Sequence, residues 1–273
     1  MIDSDHIVIY GKDYEIPDEI HCQVVADSMI GLGISVGTTS KPNEDCLGVS
    51  IAEGDVLLAI ADGHWGRGAS ELAIQKATEL FRSADHLPKE NEIRARFYAL
   101  FEQINQELFE MAMANPGASA PETTLIVCQV REIVSEKYLY WSSFGDSFLF
   151  IVRRGELIQL NSLNPYWLGM LSRLSENSQT RQLVLKSLFG ESRYVGVADG
   201  LETGIEKLHP GDMILLCTDG LIGSDARVPE DVLREIQLIL NEDVTMEEKI
   251  NHLIKRALAR GEKDNISCIL LSL

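Results

Sequence analysis

The sequence predicts an α+β fold, with β-sheets carrying helices on their outer faces. Three features lead there. Apolar runs of strand length, such as Val56–Ala61 and Met213–Thr218, lack polar alternation and so suit strands buried on both faces. Two separate blocks instead repeat apolar residues at i, i+3 and i+4, the stripe of an amphipathic helix. The order is strands, two helices, strands, two helices and a last strand, which fits helices packed against sheets.

Ile7–Tyr10 and Cys22–Ala26 read as short strands joined through a turn at Pro17, and the role of residues 1–30 stays open. Leu32–Val36 is a further apolar segment that runs into Gly37–Pro42, a loop by its glycine, proline and hydroxyl residues. Cys46–Ile51 and Val56–Ala61 form a hairpin across Glu53-Gly54-Asp55. In such an antiparallel pair Asp45, at the start of one strand, neighbours Asp62, at the end of the next. Gly66-Arg67-Gly68 leads into a helix with Ala69, Leu72, Ala73, Ala77, Leu80 and Phe81 on one face. After Pro88 a second helix, starting near Glu90, carries Ile93, Phe97, Leu100, Phe101, Ile104, Leu108 and Met111. Asn115-Pro116-Gly117 ends it.

Thr123–Val130, Lys137–Phe144 and Ser147–Arg153 are rich in β-branched and aromatic residues and read as strands. Arg154-Gly155 turns the last of them into Glu156–Leu160. Asn161–Glu176 is irregular, and a short helix is expected over Gln179–Phe189. A turn at His209-Pro210-Gly211-Asp212 introduces the strand Met213–Thr218. Pro229 begins a helix whose stripe is Val232, Leu233, Ile236, Ile239 and Leu240. Thr245 and Glu248 match a capping box, opening a helix with Ile250, Leu253, Ile254, Ala257 and Leu258 inward and Gly261 at its end. Ile266–Leu271 is the final strand. No repeat, low-complexity tract or linker divides the chain, so one domain over residues 1–273 is expected.

Composition narrows the function. The hydrophobic share of 45% allows a substantial core, and the net charge of −18 argues against nonspecific binding to nucleic acid or an anionic membrane. No uncharged apolar stretch reaches the roughly 18 residues of a membrane span. Asp3 and Asp5 stand where a signal peptide needs a basic segment. The five cysteines (Cys22, Cys46, Cys128, Cys217 and Cys268) are scattered, form no C-x-x-C pair and mostly lie inside apolar runs. A reduced, cytoplasmic setting is expected, with neither membrane nor nucleic acid as partner and a monomer as the default state.

Asp62 arrives at the end of Val56–Ala61 and is followed at once by Gly63-His64, and Asp219-Gly220 ends Met213–Thr218 in the same way. Asp45, Asp146 and Asp264 also stand where an apolar strand begins or ends. One reading makes them turn and cap residues, because loops collect Asp for local hydrogen bonds. The sharper reading is that several strand ends meet and the carboxylates share one pocket. Close carboxylates repel one another and need protons or a cation to coexist. All-oxygen ligation suits hard ions such as Mg²⁺, Mn²⁺ or Ca²⁺. The six histidines show no zinc-like spacing.

At Asp264-Asn265 these pieces complete a pattern: the chain resembles the metal-dependent Ser/Thr protein phosphatases of the type-2C family. The matching segments, in order, are Asn43-Glu44-Asp45, Asp62-Gly63-His64-Trp65-Gly66, Thr123-Thr124, Phe144-Gly145-Asp146-Ser147, Thr218-Asp219-Gly220-Leu221 and Asp264-Asn265. They run from about residue 31 to the end. The resemblance implies an αββα sandwich, two antiparallel sheets flanked by helix pairs, with two Mn²⁺ or Mg²⁺ ions at one end and a third in some members. It implies that Asp62 bridges the two ions, that the Gly63 carbonyl completes the first and that Asp219 and Asp264 hold the second. Asp45 and Glu44 would act directly or through ligated waters, and Asp146 with Asp219 would support a third ion. The implied reaction is hydrolysis of phosphoserine or phosphothreonine in a phosphoprotein substrate by in-line attack of a metal-bridging hydroxide. His64 would protonate the leaving alkoxide, and no phosphoenzyme would form. His64 and Glu44 are thus the candidate catalytic residues.

The chain departs from the family in several places. The position of the family's phosphate-gripping arginine is Ser40. The adjacent Lys41 either supplies a point charge to the substrate phosphate, without arginine's bidentate fork, or is a solvated loop lysine. Gly145-Asp146-Ser147-Phe148 lacks the arginine of the usual G-D-S-R, and no D-H pair follows in Asn161–Leu171, the family's substrate-side flap. Trp65 is expected to pack rather than to touch substrate. One alternative is a catalytically weak or silent regulatory module of the same build that binds a phosphoprotein partner. The missing arginine favours it, and the complete acid set opposes it. An aspartyl-nucleophile phosphohydrolase is rejected, because neither Asp62 nor Asp219 has an aspartate two residues on.

Overall fold

The computed structural model describes residues 6–27, 29–52, 54–82, 90–114, 121–163, 200–223 and 229–273. Its first sheet is built on the expected hairpin, β4 (Cys46–Ala52) and β5 (Asp55–Ala61), in the register Cys46↔Ala61. That register sets Asp45 beside Asp62. Strand β8 (Leu125–Ile133) pairs with the other side of β5, β9 (Glu136–Phe144) with β8, and β12 (Glu202–Leu208) with β9. On the opposite edge β1 (His6–Tyr10) pairs with β4. The second sheet has the order β11 (Glu156–Gln159), β10 (Phe148–Arg153), β13 (Met213–Cys217), β14 (Ile266–Ser272), β3 (Ile30–Ser35) and β2 (His21–Val25). The two N-terminal strands, whose role was open in the sequence, are therefore edge strands, one in each sheet.

Both sheets are antiparallel, and alternation of side chains gives each two apolar faces. Leu58 and Ile60 of β5 face inward onto Leu32, Ile34, Leu216 and Ile269, which make the core between the sheets. Leu57, Ala59 and Ala61 of the same strand face outward onto α1 (Gly68–Arg82) and α2 (Glu90–Ala114). The unbroken apolar run is thus explained: helices cover one face and the other sheet covers the second. Behind the second sheet, Leu215, Cys268 and Leu270 pack on α4 (Glu230–Leu240) and α5 (Met246–Ala259) through Ile236, Ile250 and Ile254. Helix α3 (Asp219–Ile222) is one short turn after β13. This is the αββα sandwich.

Local signals act as expected where the backbone itself decides. The Glu248 N–H donates to Thr245 Oγ1 at 3.2 Å and the Thr245 N–H to Glu248 Oε2 at 2.9 Å, a complete capping box. Met111 departs from its stripe, because it is 38% exposed while Ile104 and Leu108 are fully buried. The sequence reading also passes over β12. Its residues Glu202–Leu208 carry no clear alternation, and as an edge strand it needs hydrogen bonds to β9 rather than a full apolar face. Thr123–Val130 is broken at Thr124 into β7 (Glu122–Thr123) and β8, and β7 pairs with the two-residue β6 (Gly63–His64). The helix expected over Gln179–Phe189 lies outside the described residues, as does most of Asn161–Glu176. Among the described residues no helix is long and apolar enough to cross a membrane.

Leu58, fully buried between the sheets, tests the inner core. Leu58→Ala is expected to destabilise the chain by about 2–5 kcal/mol in urea unfolding. A loss well under 1 kcal/mol would mean that β5 is not clamped between two layers.

Candidate active site

All five aspartates singled out in the sequence come to the same end of the sandwich. Asp45 and Asp62 stand at the ends of β4 and β5 in the first sheet, and Asp219 and Asp264 flank β13 and β14 in the second. Asp146 lies on the connection by which the chain passes from β9 in one sheet to β10 in the other. Their mutual influence is direct. Burial drives the Asp62 carboxyl well above the usual range, and Asp45, Asp219, Asp264 and Asp146 each push it the same way. Burial first, then Asp264 among other charges, raises Asp45 to about 7. Burial, followed by Asp264 and Asp146, raises Asp219 to about 7 as well.

Hydroxyl and amide groups tie these strand ends together across the sheets. Thr218 Oγ1 donates to Asp45 Oδ2 at 3.1 Å and accepts the Ser267 N–H at 3.1 Å, joining β4 to β13 and β14. Asn265 Oδ1 accepts the Glu44 N–H at 2.9 Å, while its Nδ2 donates to the Val36 carbonyl at 3.3 Å. The Asp62 N–H donates to Thr124 Oγ1 at 3.0 Å, and that hydroxyl meets Ser147 Oγ at 2.7 Å, beside Asp146. Ser70 Oγ donates to the Glu44 carbonyl. Thr124, Ser147, Thr218 and Asn265 lie in segments that the sequence singles out, but Ser70 lies in none, and the partners of the Ser70 and Thr218 hydroxyls were not legible. Each acts through a contact 26 or more residues away.

The two Asp-Gly endings share a packing reason. A Cβ on Gly63 would stand 2.6 Å from the Glu44 carbonyl oxygen, and one on Gly220 would stand 2.0 Å from that of Asn265. Each glycine lets the segment carrying one acid press against the segment carrying the next. Gly63 therefore serves close backbone approach in a strand.

The donor chemistry suits a hard divalent cation. Oδ1 of Asp45 and Oδ1 of Asp219 are buried without a hydrogen-bond partner among the described residues, which leaves two anionic oxygens for a ligand. Among the described residues no group of three or more His, Cys, Asp or Glu side chains is gathered closely enough to hold a metal ion as it stands. Ions of the Mg²⁺ type retain several waters and take few carboxylates directly, so one or two open carboxyl oxygens can suffice for them.

The remaining expected residues are nearby. Glu44 is half-buried; burial raises its carboxyl, while the Gly66 N–H, donating to Oε1 at 2.6 Å, and Lys41 pull it down. His64 Nδ1 lies 3.6 Å from Asp62 Oδ1, with about a third of the side chain exposed. Lys41 is no freely solvated loop lysine, because its ammonium pairs with Asp264. Trp65 corrects the sequence reading. It is 53% exposed rather than packed, at φ +63°, and its indole N–H donates to Glu122 Oε1 at 3.2 Å. A bulky side chain in that left-handed region costs on the order of 1 kcal/mol.

With this geometry in hand, comparison with known proteins decides the family. A family profile described as protein phosphatase 2C matches residues 33–267. The chain belongs to the protein phosphatase 2C family. The resemblance seen in the sequence is borne out, and with it the expected class of enzyme. The serine/threonine phosphatase stp of Listeria monocytogenes is 26% identical over 245 residues, covering 86% of this chain and 92% of that protein. A serine/threonine phosphatase of S. agalactiae shares the fold with a TM-score of 0.68 at 22% identity, over 93% of this chain and 99% of its own. The catalytic domain of the phosphatase PstP, solved with two manganese ions, does so with a TM-score of 0.61 at 22% identity, over 93% of this chain and 99% of its own.

The N-terminal segment precedes the matched stretch yet braces the site. The Gly11 N–H donates to the Asp45 carbonyl at 2.9 Å, and Asn43 Nδ2 donates to the Tyr14 carbonyl at 3.0 Å. Glu15 pairs with Arg67 in the loop after His64.

The raised acids predict a pH dependence. Asp45 and Asp219 stand at about 7 in the folded chain against 3.8 ordinarily. Between those values the folded chain holds protons that the unfolded chain has released. Their contribution is fully present below the unfolded value and is lost as pH rises through about 7. In chelator, the urea midpoint is expected to fall between about pH 4 and pH 7, and Asp45→Asn should flatten that fall. An identical slope in the variant would show that Asp45 does not share the acidic cluster.

Proposed function

We propose that this protein is a divalent-metal-dependent phosphatase that hydrolyses phosphoserine and phosphothreonine in phosphoprotein substrates. One observation carries the reading: in a chain of this family, five aspartates from both sheets come to one end, where burial and the neighbouring acids raise the carboxyls of Asp45, Asp62 and Asp219. Asp62, Asp219 and Asp264 would hold two Mn²⁺ or Mg²⁺ ions with the Gly63 carbonyl, while Asp45 and Glu44 contribute directly or through water and Asp146 serves a third. Bound there, such ions supply charge to offset the phosphoryl oxygens and acidify water into a nucleophile at neutral pH.

The chain's own residues do the rest. Thr218 and Asn265 fix Asp45 and Glu44 from the opposite sheet, so the donor set keeps its spacing as charge changes during reaction. His64, held beside Asp62, carries the proton for the leaving alkoxide. Lys41 sets a positive charge at the edge of the acids for the substrate phosphate. All five cysteines are free of disulfides, which fits the cytoplasm.

Hydrolysis of a phosphothreonine peptide and of a small aryl phosphate, with Mn²⁺ against EDTA, tests the function. Metal-dependent turnover of both is expected. Mn²⁺ binding by calorimetry without turnover of either would instead favour the silent binding module. Asp62→Ala and Asp264→Ala are expected to abolish turnover while the folded circular dichroism spectrum persists; wild-type rates in either would overturn the site assignment. His64→Asn should slow the phosphothreonine peptide by about a hundredfold or more and the aryl phosphate less, because a phenolate leaves without needing that proton. Equal losses on both substrates would remove His64 from the acid role. Lys41→Ala should act mainly by raising KM, and an unchanged KM would release Lys41 from the phosphate.

A further inference from the structure

The loop joining His64 to α1 displays a large apolar side chain at the edge of the acids. Trp65 is 53% exposed, and its positive φ keeps a bulky residue where the backbone resists one. Strain maintained beside a site points to a use there. The indole is also held in place: Nε1 donates to Glu122 Oε1, and Glu122 is 2% exposed and pairs with His64 across β6 and β7. Charges around the loop are already engaged. Arg67 pairs with Glu15, and Glu44 Oε1 accepts the Gly66 N–H. Met111 of α2, 38% exposed, lies against the first residue of α1, with its Cε 3.2 Å from where a Cβ on Gly68 would stand. What the loop offers a ligand is therefore apolar.

We propose that Trp65 is a specificity-determining residue that receives a bulky apolar side chain next to the phosphoresidue of a phosphopeptide substrate. The inference rests on the phosphatase reading above and adds a substrate class to it. An exposed tryptophan supplies a rigid aromatic face of large area, the kind of side chain on which binding hot spots are built. Arginine or lysine in that substrate position would find no unengaged carboxylate on the loop itself, so leucine or phenylalanine is the better fit.

The test compares phosphothreonine peptides that differ only in the residue adjoining the phosphoresidue, which is leucine, phenylalanine, alanine or arginine. Wild-type protein with Mn²⁺ is expected to favour leucine and phenylalanine over alanine in kcat/KM by about tenfold, the scale on which one buried apolar group discriminates. Trp65→Gly, which also removes the φ strain, should bring that ratio close to one through KM, with kcat on the alanine peptide kept. Trp65→Phe should restore most of the preference. A preference that survives in Trp65→Gly would overturn the proposal, and so would a Trp65-dependent preference for arginine. Wild-type protein that turns over all four peptides equally would sink this inference alone. Failure of the wild type on every peptide would sink the phosphatase reading beneath it.

Discussion

The repulsion among carboxylates gathered at one end of the sandwich is the constraint to which the rest of the structure answers. Asp62 is nearly buried, and four other acids bear on it. Left to themselves, such groups would separate or protonate. They are held because each sits at the end of a strand whose register is locked by apolar layers on both faces. A slip of one residue in β5 would turn Leu58 and Ile60 out of the inner core, so the same burial that stabilises the sheet fixes where Asp62 emerges. The stability of the core and the placement of the site are one property.

Each sheet delivers its acids by the same device. In the first, the segment Asp62-Gly63 presses against the carbonyl of Glu44; in the second, Asp219-Gly220 presses against the carbonyl of Asn265. The absent Cβ brings backbone segments within contact, and the carboxylates they carry follow. Side chains of Thr218 and Asn265 then cross from one sheet to the other, so neither sheet can shift without disturbing the shared cluster. Oδ1 of Asp45 and Oδ1 of Asp219 lie buried at this end without a hydrogen-bond partner among the described residues.

The acids were legible in the sequence because an Asp-Gly step after an apolar run is a local signal, repeated at Asp62 and Asp219. The helices were legible through their stripes, and the α5 cap through its own backbone chemistry. Other features had no local signal. Ser70 reads as an ordinary helix serine until its hydroxyl is seen on the carbonyl of Glu44. Gly11 and Tyr14 lie in a stretch with no motif at all, yet they hold the main chain of Asp45 and the amide of Asn43. Strand β12 is an edge strand whose composition is set by solvent on its free side. Trp65 was misread because an aromatic residue in a glycine-rich loop gives no hint of which way its backbone turns; a left-handed φ carried it outward.

The sequence by itself determined which residues could become the site and the class of fold, since these depend on apolar periodicity and on short-range steps that a linear reading captures, and its six motifs in order carried the resemblance to the family. Tertiary structure alone decided that the five acids meet, which hydroxyls and amides bind them together, that Lys41 faces Asp264, and that Trp65 stands open beside His64. Those outcomes depend on contacts between segments far apart in the chain, whose geometry is set by the packing of two sheets and not by any neighbour in sequence.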